Sequence, residues 1–132
     1  MKLSLGYAAI ALLISGCAST PQSPSIVLEN TGTEFPTMCM LLQPDGSLVF
    51  RGGFAFYNPG TWRTDNDVLT VTLGGTEPFP TPVFKEQLPK RSGGLLGFDE
   101  KRREITYRFD AKTEFLNFGN FYFYRAVSCH VS

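Results

Sequence analysis

From residue 37 onward the chain alternates apolar and polar residues in short runs, each cut off within a few positions by Gly, Pro, Asn or Asp. A period of two lets a segment bury one face and wet the other as a strand, and breakers this close leave little room for helices. Residues 37–43 and 47–51 flank Pro44-Asp45-Gly46. Proline presets φ at the turn and glycine takes the left-handed position that a bulged hairpin needs. Residues 60–64 and 68–73 flank Asp65-Asn66-Asp67, and Leu69, Val71 and Leu73 share one face of the second strand. Gly74-Gly75 ends that strand. Pro78, Pro80 and Pro82 make 76–82 an extended loop or an irregular edge.

Residues 83–88 are expected as a further strand and 89–94 as a turn-rich break. Residues 95–99 and 104–109 surround the charged turn Glu100-Lys101-Arg102-Arg103, with Ile105, Tyr107 and Phe109 on one face. A last hairpin joins 114–116 to 121–127 across 117–120. No stretch of this region carries a convincing helical period, and none repeats. Many short, closely spaced strands predict an all-β fold, a small antiparallel β-barrel with a β-sandwich as the alternative.

The N-terminus is of another kind. Lys2 is followed by an almost unbroken apolar run, 5–14, too short to span a bilayer, and then by Ile14-Ser15-Gly16-Cys17. These residues resemble a bacterial lipoprotein signal, whose lipobox places a small residue and then Gly or Ala before Cys. Ile14 stands where Leu is most common. The resemblance implies removal of 1–16 and a diacylglycerol thioether on the Cys17 sulfur, with a further acyl chain on the new N-terminus. Several chains make a stable anchor where one alone binds marginally. Ala18, where the family's inner-membrane retention signal has Asp, implies the outer membrane, facing the periplasm or the surface. The alternative is an ordinary secretory signal with a chance cysteine. Residues 17–36, rich in Ser, Thr and Pro, are expected as a lipidated tether in which 26–28 is a short strand or a sticky patch. Residues 37–132 are then the barrel domain.

Three cysteines look odd for an exported chain. If the Cys17 sulfur carries lipid, Cys39 and Cys129 remain, and an oxidising compartment would bridge them. The alternative is two buried free thiols. A bridge would tie the first long strand to the end of the last, as closure of a meander requires. That strand order resembles small lipocalin-like envelope barrels. Gly60-Thr61-Trp62 is similar to the Gly-x-Trp opening strand of that family, in which the Trp mainly plugs the barrel end.

Charge and spacing exclude several functions. Twelve Lys and Arg balance twelve Asp and Glu, so no concentrated positive face is available for nucleic acid. Lys101-Arg102-Arg103 is enclosed by Asp99, Glu100 and Glu104 and reads as a solvated turn, with a contact patch for an acidic partner protein as the alternative. There is no Cys-x-x-Cys, and His130 is the only histidine, so neither a metal nor a cofactor is expected. His130 lies at the C-terminus, and most carboxylates lie in turns. Glu86 and Glu104 sit in expected strands and could pair with Lys or Arg. Gly52-Gly53, Gly74-Gly75 and Gly93-Gly94 serve as breakers or bulges. Nothing picks out a nucleophile with its base, so the chain is expected not to be an enzyme.

Aromatic residues are the one excess: twelve Phe, five Tyr and one Trp. Phe121-Tyr122-Phe123-Tyr124 puts rings on both faces of one strand, with Phe121 and Phe123 expected in the core. Tyr122 and Tyr124, together with Tyr57 and Trp62 of the 54–62 cluster, are the candidate binding residues, with core packing as the bland alternative. The expected function is a lipid-anchored envelope protein that recognises a protein or an apolar ligand. Small periplasmic lysozyme inhibitors are similar in combining a lipid anchor, a compact barrel and one disulfide, although their inhibitory loop pattern is not found in this sequence. The alternatives are a structural accessory subunit of an envelope complex and an immunity protein.

Overall fold

The computed structural model describes residues 25–32 and 36–131. The expected leader 1–16, the expected lipidation residue Cys17 and the start of the expected tether lie outside the described residues. Among those described, nine strands form one antiparallel sheet: β1 (Ile26–Asn30), β2 (Met38–Leu42), β3 (Ser47–Arg51), β4 (Gly60–Asp65), β5 (Val68–Thr72), β6 (Leu95–Asp99), β7 (Glu104–Arg108), β8 (Phe115–Phe118) and β9 (Phe121–Ala126). The sheet runs β6-β7-β5-β4-β3-β2-β1-β9-β8 and curls into a nearly closed barrel. The meander departs from sequence order at one place: β5 pairs with β7, and β6 lies outside it at the seam.

Turn chemistry sets the hairpins. Gly46 adopts φ 90°, and the Asp45 carboxylate accepts the Ser47 N–H at 2.9 Å and its hydroxyl at 2.6 Å. Those two bonds hold the Asp45 carboxyl below its usual range. Between β8 and β9 the two-residue turn Gly119-Asn120 takes φ 59° and 77°, the mirror-image geometry that matches strand twist.

Two expectations are corrected. Ile26–Asn30, assigned to the tether, is a full strand between β2 and β9, with Leu28 fully buried. The domain therefore begins before residue 37. Residues 83–88 are not a strand: Thr81–Gln87 is an α-helix, α1, with Pro in its first turn, where a missing N–H and a fixed φ cost nothing. Phe84 and Gln87, three apart, face inward on it. No helix among the described residues is long and apolar enough to cross a membrane.

Helix α1 and the 3₁₀ turns that follow close the seam between β6 and β8. The Phe84 ring lies 5.5 Å from Phe118 of β8 and 6.3 Å from Phe98 of β6. Asn117, fully buried on β8, donates through Nδ2 to Gln87 Oε1 at 3.2 Å, and its carbonyl accepts the Tyr107 hydroxyl at 3.1 Å. Gly93, at φ 64°, lies against the Asn117 backbone where a Cβ would collide.

The interior is packed with side chains. Phe50, Phe54, Tyr57, Phe118 and Phe123 form a ring cluster with centroids 5.0 to 6.5 Å apart. Leu28, Met40, Leu42, Leu48, Leu69, Val71, Ile105 and Leu116 fill the rest.

Candidate functional site

The inner face of β9 is core: Phe123 is fully buried and Phe121 half-buried against the cluster. The outer face carries Tyr122 and Tyr124, 38% and 47% exposed. Phe115 on β8 pairs with Tyr124 and lies 5.0 Å from each tyrosine ring. Strand register thus builds a three-ring outward ladder, of which the sequence indicated only the tyrosines. Phe115 could have been found from the hairpin turn, because a two-residue loop fixes which β8 residue faces Tyr124.

An open groove of about 300 Å³ adjoins the ladder and shares Phe115 with it; Arg108, Lys112, Thr113 and Glu114 also line it. The loop beside it is held firmly. Arg125 spans from Phe109, with its guanidinium carbon 4.1 Å from the ring centre, to the carbonyls of Thr113 at 2.9 Å and Asp110 at 2.8 Å. The Asp110 carboxylate accepts the Lys112 N–H and the Thr113 hydroxyl, and the Lys112 bond in particular keeps its pKa below the ordinary value.

The other two candidate binding residues belong to the fold. Tyr57 is 4% exposed, in the 3₁₀ turn Ala55–Tyr57, and donates its hydroxyl to the Pro78 carbonyl at 3.1 Å. Burial, reinforced by the negative charge of Glu77, pushes that hydroxyl's pKa up. For Tyr57 the candidate binding role is therefore corrected to the core-packing alternative: the 3₁₀ turn directs its ring into the Phe50 cluster. Trp62 is half-buried against the core, and its indole N–H donates to the Gln43 carbonyl at 2.8 Å beside the first hairpin turn. The ring exposed in this region is instead Phe56, at 51%.

Next to the ladder, the outer row continues across β1 and β2. Tyr124 pairs with Glu29, and Glu29 with Cys39. The C-terminal tail folds back over this row. Cys129 is bonded to Cys39, with Cα atoms 6.0 Å apart. The His130 N–H donates to the Glu29 carboxylate at 2.6 Å, and the imidazole Nδ1 lies 2.9 and 3.1 Å from its two oxygens. Glu29 is only 8% exposed at its side chain, whereas the His130 side chain is 68% exposed. Sequence reasoning missed Glu29 because it lay in the presumed tether, and left His130 as an uncommitted terminal residue. Glu104, by contrast, does meet an arginine, with Arg63 3.6 Å away. Glu86 lies exposed on α1.

Oxygen and sulfur donors of Glu29, Cys39 and Cys129 lie within 4.8 Å of one another, but with the sulfurs joined the group does not form a cation site. Comparison with protein-family models, with curated proteins and with solved structures finds no match to this chain.

Proposed function

We propose that this protein is a lipid-anchored component of the bacterial cell envelope, held to the outer membrane through Cys17, that recognises another protein by binding and not by catalysis. The observation that carries the reading is the ladder of Phe115, Tyr122 and Tyr124 on the outer face of β8 and β9. Tyrosine offers a large contact area with few rotamers to freeze, and clusters of this kind dominate binding energy at protein interfaces. The adjoining groove adds Arg108 and Lys112 at its wall, a polar rim beside the apolar centre. A small apolar ligand is less well served, because the barrel interior is occupied by its own rings.

Two experiments test this. Cys17→Ser should shift the protein from the membrane to the soluble fraction or leave it unprocessed; normal cleavage with unchanged membrane fractionation would rule out the anchor. Tyr122→Ala with Tyr124→Ala should retain the wild-type circular dichroism spectrum while losing an envelope protein that the wild type captures and that rebinds in purified form. Full retention of that purified partner by the double variant would remove the ladder from the site.

A further inference from the structure

The C-terminal strap brings together more chemistry than a disulfide needs. Cys39 and Glu29 face each other across β2 and β1, and Cys129 and His130 follow one another on the tail. The Glu29 carboxylate is buried on the outer side of the sheet, with Oε2 3.8 Å from Cys39 Sγ and 2.9 Å from His130 Nδ1. We infer that opening the Cys39–Cys129 bond converts this cluster into a tetrahedral zinc site, with Cys39, Cys129, Glu29 and His130 as its four ligands.

The donor geometry supports this. Zn–S bonds of about 2.3 Å and Zn–N or Zn–O bonds of about 2.0 Å at tetrahedral angles separate S and O by about 3.5 Å and N and O by about 3.3 Å. The observed separations are 3.8 Å for Cys39 sulfur to Glu29 oxygen and 2.9 to 3.1 Å for His130 nitrogen to the two Glu29 oxygens. The two sulfurs must part to about 3.8 Å, which Cα atoms 6.0 Å apart allow by side-chain rotation. His130 is the ligand that must turn: its Nδ1 lies against Glu29, the donors already within 4.8 Å of one another are those of Glu29, Cys39 and Cys129, and its largely exposed ring leaves room for the rotation. Thiolate, imidazole and carboxylate donors suit Zn²⁺ above harder cations.

The conversion balances. A dithiol gives two electrons to the S–S bond and becomes its own disulfide, leaving Cys39 and Cys129 as thiols. Zn²⁺ then takes the place of the two thiol protons, which pass to solvent, as two Zn–S bonds form. Disulfide and cation are thus alternative clasps for one strap, the first under oxidising and the second under reducing conditions. The inference goes beyond the recognition surface and does not depend on it.

The test uses the full-length protein in detergent, reduced with a phosphine and stripped of metal. One equivalent of Co²⁺ should give the intense visible bands of a tetrahedral site with a near-ultraviolet thiolate charge-transfer band, and Zn²⁺ should bleach both. The oxidised protein should give neither. Glu29→Gln and His130→Ala should each weaken Co²⁺ binding by about tenfold or more. Cys39→Ser with Cys129→Ser should abolish the charge-transfer band. A pale octahedral spectrum, or an unchanged spectrum in the double-serine variant, would overturn the site. Should reduction itself melt the barrel, Zn²⁺ must restore its circular dichroism spectrum; failure to do so would also overturn it.

Discussion

Asn58 shows how much a single side chain carries in a barrel this small. Its amide stands in for a strand, with Oδ1 accepting the Phe50 N–H at 2.7 Å and Nδ2 donating to the Phe50 carbonyl at 2.8 Å. Asn58→Ala leaves both backbone groups of a buried residue without partners and should cost about 1–3 kcal/mol in urea unfolding. Loss of less than that would mean water replaces the amide. Tyr107 works differently. Its ring is fully buried, and burial pushes the hydroxyl's pKa far above the ordinary value of 10.0. The neutral form is favoured in the fold, so its contribution is whole below the ordinary value. That contribution is lost as pH rises toward the folded-state value, because the unfolded chain releases its proton first. Stability should therefore fall in alkali, and Tyr107→Phe should flatten that fall while costing about 1 kcal/mol at neutral pH from the lost bond to Asn117. An alkaline limb of the same slope in both proteins would assign the sensitivity elsewhere. The face split of Phe123 and Tyr124 was legible in the sequence from alternation and from the tyrosine hydroxyl's need for a partner. The burial of Tyr57 was not, because a 3₁₀ turn follows no period of two.

At the scale of elements, β1 and α1 were the two the sequence concealed, for opposite reasons. Strand β1 has a clear apolar start in Ile26-Val27-Leu28 but is embedded in tether-like composition. Only its two neighbours, β2 and β9, make it a strand, by satisfying its backbone on both edges. Helix α1 is seven residues long, too short to show a period of its own. It is held by Phe84 and Gln87 against the seam, not by propensity. Of the three prolines, Pro78 lies in the irregular stretch that was expected, whereas Pro80 caps the helix and Pro82 lies in its first turn. Phe84→Ala should remove this tether and cost about 3–5 kcal/mol. Hydrogen exchange should then rise first in β6 and β8, the two strands that α1 joins. Uniform loss of protection would show the seam to be no weaker than the rest of the barrel. The hairpins around Asp45-Gly46 and Asn66-Asp67 were readable because turn residues act locally, whereas the exchange of β6 and β7 in the strand order depends on where a distant connection lands.

For the whole molecule, closure was the most informative expectation from sequence, because it came from the cysteines and not from any strand. A bond from Cys39 to Cys129 spans 90 residues and ties the tail to β2, but the first long strand and the last are not neighbours as expected: β1 lies between β2 and β9. Three devices now hold the barrel shut: the β1–β9 ladder, the α1 plug at the β6–β8 seam, and the disulfide strap over the outer face. The first two act in the folded state. The third acts mainly on the unfolded chain, by removing the conformations in which the ends of a long loop stray apart. Loop-closure entropy for this span amounts to about 4–5 kcal/mol at 25 °C, comparable to the loss of a large core ring. Cys39→Ala with Cys129→Ala, measured in chelator to exclude metal, should therefore lower the urea midpoint while leaving the circular dichroism spectrum of the barrel intact. The slope with urea should also increase, because a chain freed of its cross-link exposes more surface on unfolding. A lowered midpoint with an unchanged slope would place the disulfide's effect in folded-state packing. An unchanged midpoint would leave closure to the ladder and the helix alone.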